Sequence, residues 1–245
     1  MLLEGKRVLV TGGSSGLGQR LVCTCAREGA RVAFSYSRNG DGAKATEELA
    51  RPLGQPLRSF RASVLDGEAI RAMVSALETE WGGIDVLVNN AGISRILPMA
   101  LLEEEDWDEL MDINVKGTYL VTRAVLKGMI RRRSGRILNI GSLAGMRIIE
   151  APVHYATSKA AIKGFTESLA KEVGRYGISV NCLAPGLLEG GVGAQLPDYR
   201  LRDYLQHCAL GRVGTFEEIA ELCVFLISDR NSYMTGATLV ADGGL

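Results

Sequence analysis

Short apolar runs alternate with amphipathic stretches from one end of the chain to the other. Val8-Leu9-Val10 and Ile137 to Ile140 typify the runs, which predict strands near 6–11, 31–36, 57–62, 84–88, 135–141, 178–184 and 236–240. Between them apolar positions recur at helical spacing, predicting helices near 16–28, 41–51, 67–81, 105–133, 152–175 and 215–228. Gly29 and Gly177 stand where helices hand over to strands. Strand-helix alternation without hairpin signals predicts crossover units on a parallel sheet: an α/β architecture of about seven strands, doubly wound, with helices on both faces. No repeat, linker or low-complexity segment divides it, so residues 1–245 are expected to form a single domain.

Leu187 to Leu210 departs from the pattern. Gly190-Gly191, Gly193 and Pro197 are interspersed with Leu, Val and Tyr between a strand end and the next helix. A loop of this length with apolar content is expected to be a substrate lid near 187–210 rather than an excursion packed on the sheet edge.

Composition narrows the function. The chain has 245 residues, 47% hydrophobic and 23% charged, enough for one sizeable core and too apolar for disorder. Lys plus Arg and Asp plus Glu are 28 each, so no long-range field draws it to nucleic acid or anionic membrane, and 6% aromatics offer little for stacking bases. No apolar stretch approaches the ~18 residues of a membrane span. The first strand begins too close to Met1 to leave a signal segment, so a cytoplasmic location is expected. Cys23, Cys25, Cys182, Cys208 and Cys223 lack paired spacing, which predicts buried thiols and neither disulfides nor a metal site.

Gly12, Gly16 and Gly18 follow the first strand and open the first helix, with Ser14, Ser15 and Leu17 between them. Glycines there let the backbone approach a pyrophosphate, and the helix N-terminus aims unpaired N–H groups at it. The spacing is G-x3-G-x-G, weak evidence by itself and compatible with a tight structural turn. The second strand ends in Ser35-Tyr36-Ser37-Arg38-Asn39, with no acidic residue between Gly29 and Asp41. A carboxylate would bind ribose hydroxyls; the guanidinium of Arg38 suits a 2′-phosphate, so NADP(H) is expected over NAD(H).

Tyr155 and Lys159 are four residues apart on one predicted helix and share a face. A phenol ordinarily ionises near pH 10, and acid/base work near neutrality requires about 4 kcal/mol, which one cation ~4 Å away supplies at an effective dielectric of 20. Ser142, just past the strand Ile137 to Ile140, can donate to a carbonyl oxygen on which negative charge develops. His154 points about 100° away from Tyr155 and reads as a spectator, and Lys163 as a surface residue.

Taken together, Thr11-Gly12-x3-Gly16-x-Gly18, Asn89-Asn90-Ala91-Gly92, Asn114, Ser142, Tyr155-x3-Lys159, Pro185-Gly186 and Asp242-Gly243-Gly244 resemble the short-chain dehydrogenase/reductase family over essentially the whole chain. The resemblance implies a Rossmann-type fold and a tetrad of Asn114, Ser142, Tyr155 and Lys159, with Tyr155 the acid/base. It implies that Lys159 also holds the nicotinamide ribose and that Asn114 seats a water leading to a proton relay. Asn90, Ala91, Gly92, Pro185 and Gly186 would lie along the cofactor, although Asn89 and Asn90 serve equally well to tie the fourth strand to its neighbours. Ser63 and Val64 occupy the adenine position, where many members have Asp in place of Ser63. Leu187, Leu188 and Glu189 stand where many members place a Thr. Within the family, Ser134 to Ser142 and Met234 to Thr238 resemble the β-ketoacyl-(acyl-carrier-protein) reductases. This implies a carrier-linked substrate, for which Arg131-Arg132-Arg133 with Arg136, Lys171 and Arg175 is the candidate landing site, or else a hydrated helix end. A homotetramer is also implied. The other readings are a reductase of free polyols, sugars or steroids, and an NADP-binding regulatory protein without turnover.

Overall fold

The computed structural model describes residues 1–191 and 196–245. Its strands are β1 (Arg7–Thr11), β2 (Arg31–Tyr36), β3 (Leu57–Arg61), β4 (Val86–Asn89), β5 (Gly135–Ile140), β6 (Ile178–Pro185) and β7 (Thr238–Ala241). All pair in parallel within one sheet, in the order β3-β2-β1-β4-β5-β6-β7. The helices are α1 (Gly16–Arg27), α2 (Gly40–Ala50), α3 (Gly67–Trp81), α4 (Glu104–Met111), α5 (Gly117–Arg132), α6 (Val153–Val173), α7 (Asp198–His207) and α8 (Phe216–Ile227).

Alternation along each strand divides the core into two layers. Val8 and Val10 pack with α1 and α8 residues such as Leu21 and Val224, while Leu9 packs with α3 and α5 residues such as Leu77 and Val125. Both faces of the sheet are therefore dry, as a parallel sheet requires. The first three strands run outward from β1, and the chain then returns to lay β4 on the other side of β1. The loops leaving β1 and β4 diverge there and open a crevice at the carboxyl ends of the strands.

Buried amides cross-link the sheet to one helical layer. Asn89 Nδ2 donates to Asn139 Oδ1 and to Thr122 Oγ1, each at 2.9 Å, and Asn139 Nδ2 donates to Thr166 Oγ1 at 2.9 Å. These bonds join β4, β5, α5 and α6, so Asn89 has the tying role that its sequence position allowed.

Three expectations need correction. The helix predicted over 105–133 is not continuous: Asp112–Lys116 forms a wide i→i+5 turn between α4 and α5. Asn114, at the centre of that turn, spends its amide on the backbone of Ile93, and a Cβ on Gly117 would lie 2.5 Å from Val64, so tertiary contacts at the centre of the turn and just past its end favour the wider turn. The lid expected at 187–210 is not simply a loop. Leu188 pairs with Gly214, and α7 starts after Pro197 with Asp198 in its first turn, presenting Leu201, Tyr204 and Leu205 at helical spacing. Residues 192–195, including Gly193, lie outside the described residues. The last strand starts at Thr238 rather than 236, because Gly236 turns with φ +72° to bring its N–H to Val180 O.

Asn139→Ala would leave a hydrogen of Asn89 Nδ2 without its acceptor in a dry layer. Stability should fall by about 2 kcal/mol, read as a lower urea midpoint with an unchanged m-value.

Candidate active site

At the crevice, Thr11 closes the end of β1 onto the loop after β4. Its Oγ1 accepts the N–H groups of Asn90 and Ala91, both at 3.0 Å. Asn90 Nδ2 returns bonds to Thr11 O at 3.0 Å and Gly12 O at 3.2 Å. The approach is so close that a Cβ on Gly12, itself at φ +70°, would lie 2.9 Å from Ala91 Cα. Glycine is required there by both conformation and space.

A cleft of about 980 Å³ runs from this junction in two directions. One arm is lined by Gly12, Ser14, Ser15, Gly16, Leu17, Gly18, Asn90, Ala91 and Gly92, and continues to Ser35–Asn39 and Ala62–Leu65. Ser15 precedes α1 without capping it through its side chain, and no acidic residue occupies the first turn. The helix thus offers open N–H groups and the positive end of its dipole to the cleft. Arg38 is exposed at the far rim and forms no ion pair among the described residues. Ser63 Oγ accepts from Leu65 N at 3.3 Å, so its lone pairs are already in part engaged with its own turn.

The other arm is lined by Ser142, Tyr155, Lys159, Pro185 and Gly186. Ser142 follows β5, and its Oγ accepts from Ala144 N at 3.2 Å. The short turn it opens packs on α6: a Cβ on Gly145 would lie 2.5 Å from the backbone of Lys159. Tyr155 and Lys159 share the α6 face expected of an i,i+4 pair. Lys159 is 7% exposed, and its ammonium lies 5.7 Å from the Tyr155 ring centroid and donates to Ile140 O at 2.9 Å. It has no carboxylate partner among the described residues. Behind it, burial pushes the Cys182 thiol up to about 11, so that group stays neutral.

Asn114 is brought beside this group but does not line the cleft. Its Oδ1 accepts from Ile93 N at 2.8 Å, and its Nδ2 donates to Ile93 O and Ser158 Oγ, both at 3.0 Å. The amide is fully used in fixing the segment after Gly92, where a Cβ would lie 3.1 Å from Asn114 Oδ1 and 3.7 Å from Lys159 Nζ. Sequence reasoning missed Tyr204, whose hydroxyl accepts from Leu187 N at 3.0 Å and donates to Asp242 O at 3.2 Å. No motif signals it; only the helical spacing of α7 was available.

The arginines considered for carrier docking sit at the opposite end of β5 from Ser142. Arg131 pairs with Glu78, Arg132 donates to Ile84 O, Arg133 donates to Arg175 O beside the Tyr176 ring, and Arg136 reaches Asn231 O and Asp229. Lys163 pairs with Glu167 on the surface. Among the described residues no helix is long and apolar enough to cross a membrane, and no cluster of His, Cys, Asp or Glu is arranged to hold a metal.

Residues 12–245 match the family model described as Enoyl-(Acyl carrier protein) reductase. The 3-oxoacyl-(acyl-carrier-protein) reductase of Chlamydia muridarum is 39% identical over 100% of this chain and 98% of its own length. The enzymes of that name from Thermotoga maritima and Escherichia coli are 39% and 36% identical over 100% of this chain and 99% of theirs. The chain belongs to the short-chain dehydrogenase/reductase family. A solved short-chain dehydrogenase/reductase from Serratia marcescens superposes with TM-score 0.92 at 32% identity, covering 100% of this chain and 99% of that one. Another from Mycobacterium marinum gives TM-score 0.90 at 33% identity, covering 99% and 95%. As a short-chain dehydrogenase/reductase the protein is an oxidoreductase that uses a nicotinamide dinucleotide. The cleft fits such a group in volume, in its uncapped helix N-terminus and in the glycines that keep Cβ atoms out of the approach.

His154 adjoins this site without entering it. It is fully buried, and neither ring nitrogen is bonded to a described residue. Burial pushes its pKa below the ordinary 6.5; Asp106 opposes that shift and Arg95 adds to it. The unfolded chain therefore takes up the proton more readily, and the stability is fully present above pH 6.5 and lost as pH falls toward the depressed folded value. Urea midpoints should drop between about pH 7 and about pH 5, before carboxylates titrate. His154→Leu should flatten that part of the profile.

Proposed function

We propose that the protein is an NADPH-dependent ketoreductase of the cytoplasm that converts a β-ketoacyl thioester on an acyl carrier protein to the β-hydroxyacyl thioester. The observation that carries this reading is the shared cleft: two hydroxyls, Ser142 and Tyr155, and one buried ammonium without a carboxylate partner among the described residues line the same space as the glycine-rich helix N-terminus. End-to-end relatives named for that activity support the substrate class.

In this reading Gly12, Ser14, Ser15, Gly16, Leu17 and Gly18 hold the pyrophosphate. Ser63 and Val64 flank the adenine, Arg38 meets the 2′-phosphate, and Asn90, Ala91, Gly92, Pro185 and Gly186 line the path to the nicotinamide. The bound dinucleotide supplies the hydride. Ser142 and Tyr155 donate to the substrate oxygen, and Tyr155 delivers the proton as negative charge grows there. Lys159 stabilises the charge left on the phenol oxygen and holds the nicotinamide ribose. Asn114 acts as a positioning residue, since its amide is committed to Ile93 and Ser158. Its wide turn supplies the backbone irregularity at which a relay water would be held.

A homotetramer fits the exposed apolar residues Tyr119 on α5, Leu222 and Phe225 on α8 and Val240 on β7. Within one chain Arg133 and Arg175 are remote from Ser142, so carrier docking there would serve the site of a neighbouring copy.

Tyr155→Phe, which removes only the transferable proton, should cut reduction of acetoacetyl thioesters at least about a thousandfold while NADPH fluorescence titration still reports binding. Equal turnover of a simple ketone but no thioester by the wild type would refute the substrate class. Arg38→Glu should raise KM for NADPH at least about tenfold and leave KM for NADH far less affected; equal effects on both would refute the cofactor preference.

A further inference from the structure

Among the described residues, the cations lining the cleft are Arg38, Lys159 and Arg200. Arg38 stands at the far rim of the arm that starts at the glycines, and Lys159 is buried with its ammonium on Ile140 O. Arg200 is different. It projects from α7, 29% exposed along its side chain, and meets Glu150 on the segment between β5 and α6 that leads from Ser142 to Tyr155. Its Nη2 donates to Glu150 Oε1 at 2.5 Å and its Nε to the Tyr199 hydroxyl at 3.2 Å, while Nη1 has no partner among the described residues. Glu150 is 74% exposed. The other carboxylate lining the cleft, Glu109, is committed to Arg95 at 2.6 Å.

An ion pair this exposed contributes little and exchanges readily. A guanidinium presents a planar fork that matches phosphate and carboxylate oxygens in pairs. A free side chain would pay no penalty for pointing into water, yet this one is held at the cleft by a carboxylate that an incoming anion can replace.

We propose that Arg200 is a specificity-determining residue that recognises an anionic group on the substrate, and that Glu150 is its internal competitor. The inference rests on the ketoreductase reading, in which the anion is the phosphate of a pantetheine arm. A carboxylate on a free keto acid has the same chemistry. Substrate entry exchanges one guanidinium-bound anion for another, and the displaced Glu150 returns to water. No bond to carbon is made or broken by this step, so it acts on KM.

The test compares acetoacetyl-pantetheine with acetoacetyl-4′-phosphopantetheine, and acetoacetate methyl ester with acetoacetate, using the wild type, Arg200→Gln and Glu150→Gln with NADPH. The ratio of kcat/KM for the charged over the uncharged member of a pair should fall about tenfold in Arg200→Gln. The fall should be carried by KM, and the ratio should rise severalfold in Glu150→Gln. A response confined to the pantetheine pair assigns the phosphate, and one confined to the acid and its ester assigns the carboxylate. Ratios unchanged by Arg200→Gln in both pairs, or unchanged by Glu150→Gln, overturn the proposal. If the wild type reduces simple ketones but neither thioester, the ketoreductase reading fails, and the acid and ester pair alone then decides the role of Arg200.

Discussion

A positive charge held out of water, with no carboxylate among the described residues to neutralise it, is the constraint around which this molecule is arranged. Desolvating an ammonium costs on the order of several kcal/mol, and Lys159 recovers part of that through a single bond to Ile140 O. The neighbours accommodate rather than quench it. Glycines at 92 and 145 allow two loops to come against the lysine and its backbone, and the aromatic face of Tyr155 lies 5.7 Å from the charge. The charge is thereby concentrated toward the cleft, where it acts on whatever negative charge develops beside it.

That arrangement depends on the sheet. Parallel pairing brings the ends of β1, β4, β5 and β6 to one rim, and each end delivers a different part of the site: glycines and helix dipole, the Asn90 loop, Ser142, and Pro185-Gly186. The Asn89-Asn139-Thr166 chain holds the middle of this rim by hydrogen bonds inside an otherwise dry layer. The amides there are stable because their Nδ2 atoms find acceptors, while Asn89 Oδ1 has no partner among the described residues. The same requirement explains the wide turn at Asn114, where a side-chain amide substitutes for strand pairing along Ile93.

Cations divide by location. At the end where β5 begins, arginines are bound into local structure by Glu78, backbone carbonyls and Asp229. At the cleft rim, Arg38 is unpaired among the described residues and Arg200 is held by an exposed carboxylate and the neighbouring Tyr199 hydroxyl. A formal net charge of +0 hides this distribution, because long-range attraction is cancelled while local recognition is retained.

The residue pattern carried the alternation of strands and helices, the glycine turn after β1 and the Tyr155-Lys159 pair. Each of these is written in local spacing, and local spacing survives any change in the rest of the chain. It also carried the absence of an acidic residue after β2, since the strand end fixes where such a residue would have to be. The break at Asp112–Lys116, the helix α7 and the meeting of Arg200 with Glu150 emerge from packing. Those features depend on contacts between residues far apart in the chain, such as Asn114 with Ser158 and Tyr204 with Asp242, and no periodicity encodes them. The arginine run at 131–133 was legible as charge, but its place at the far end of β5 followed from the direction of a strand, which only packing assigns.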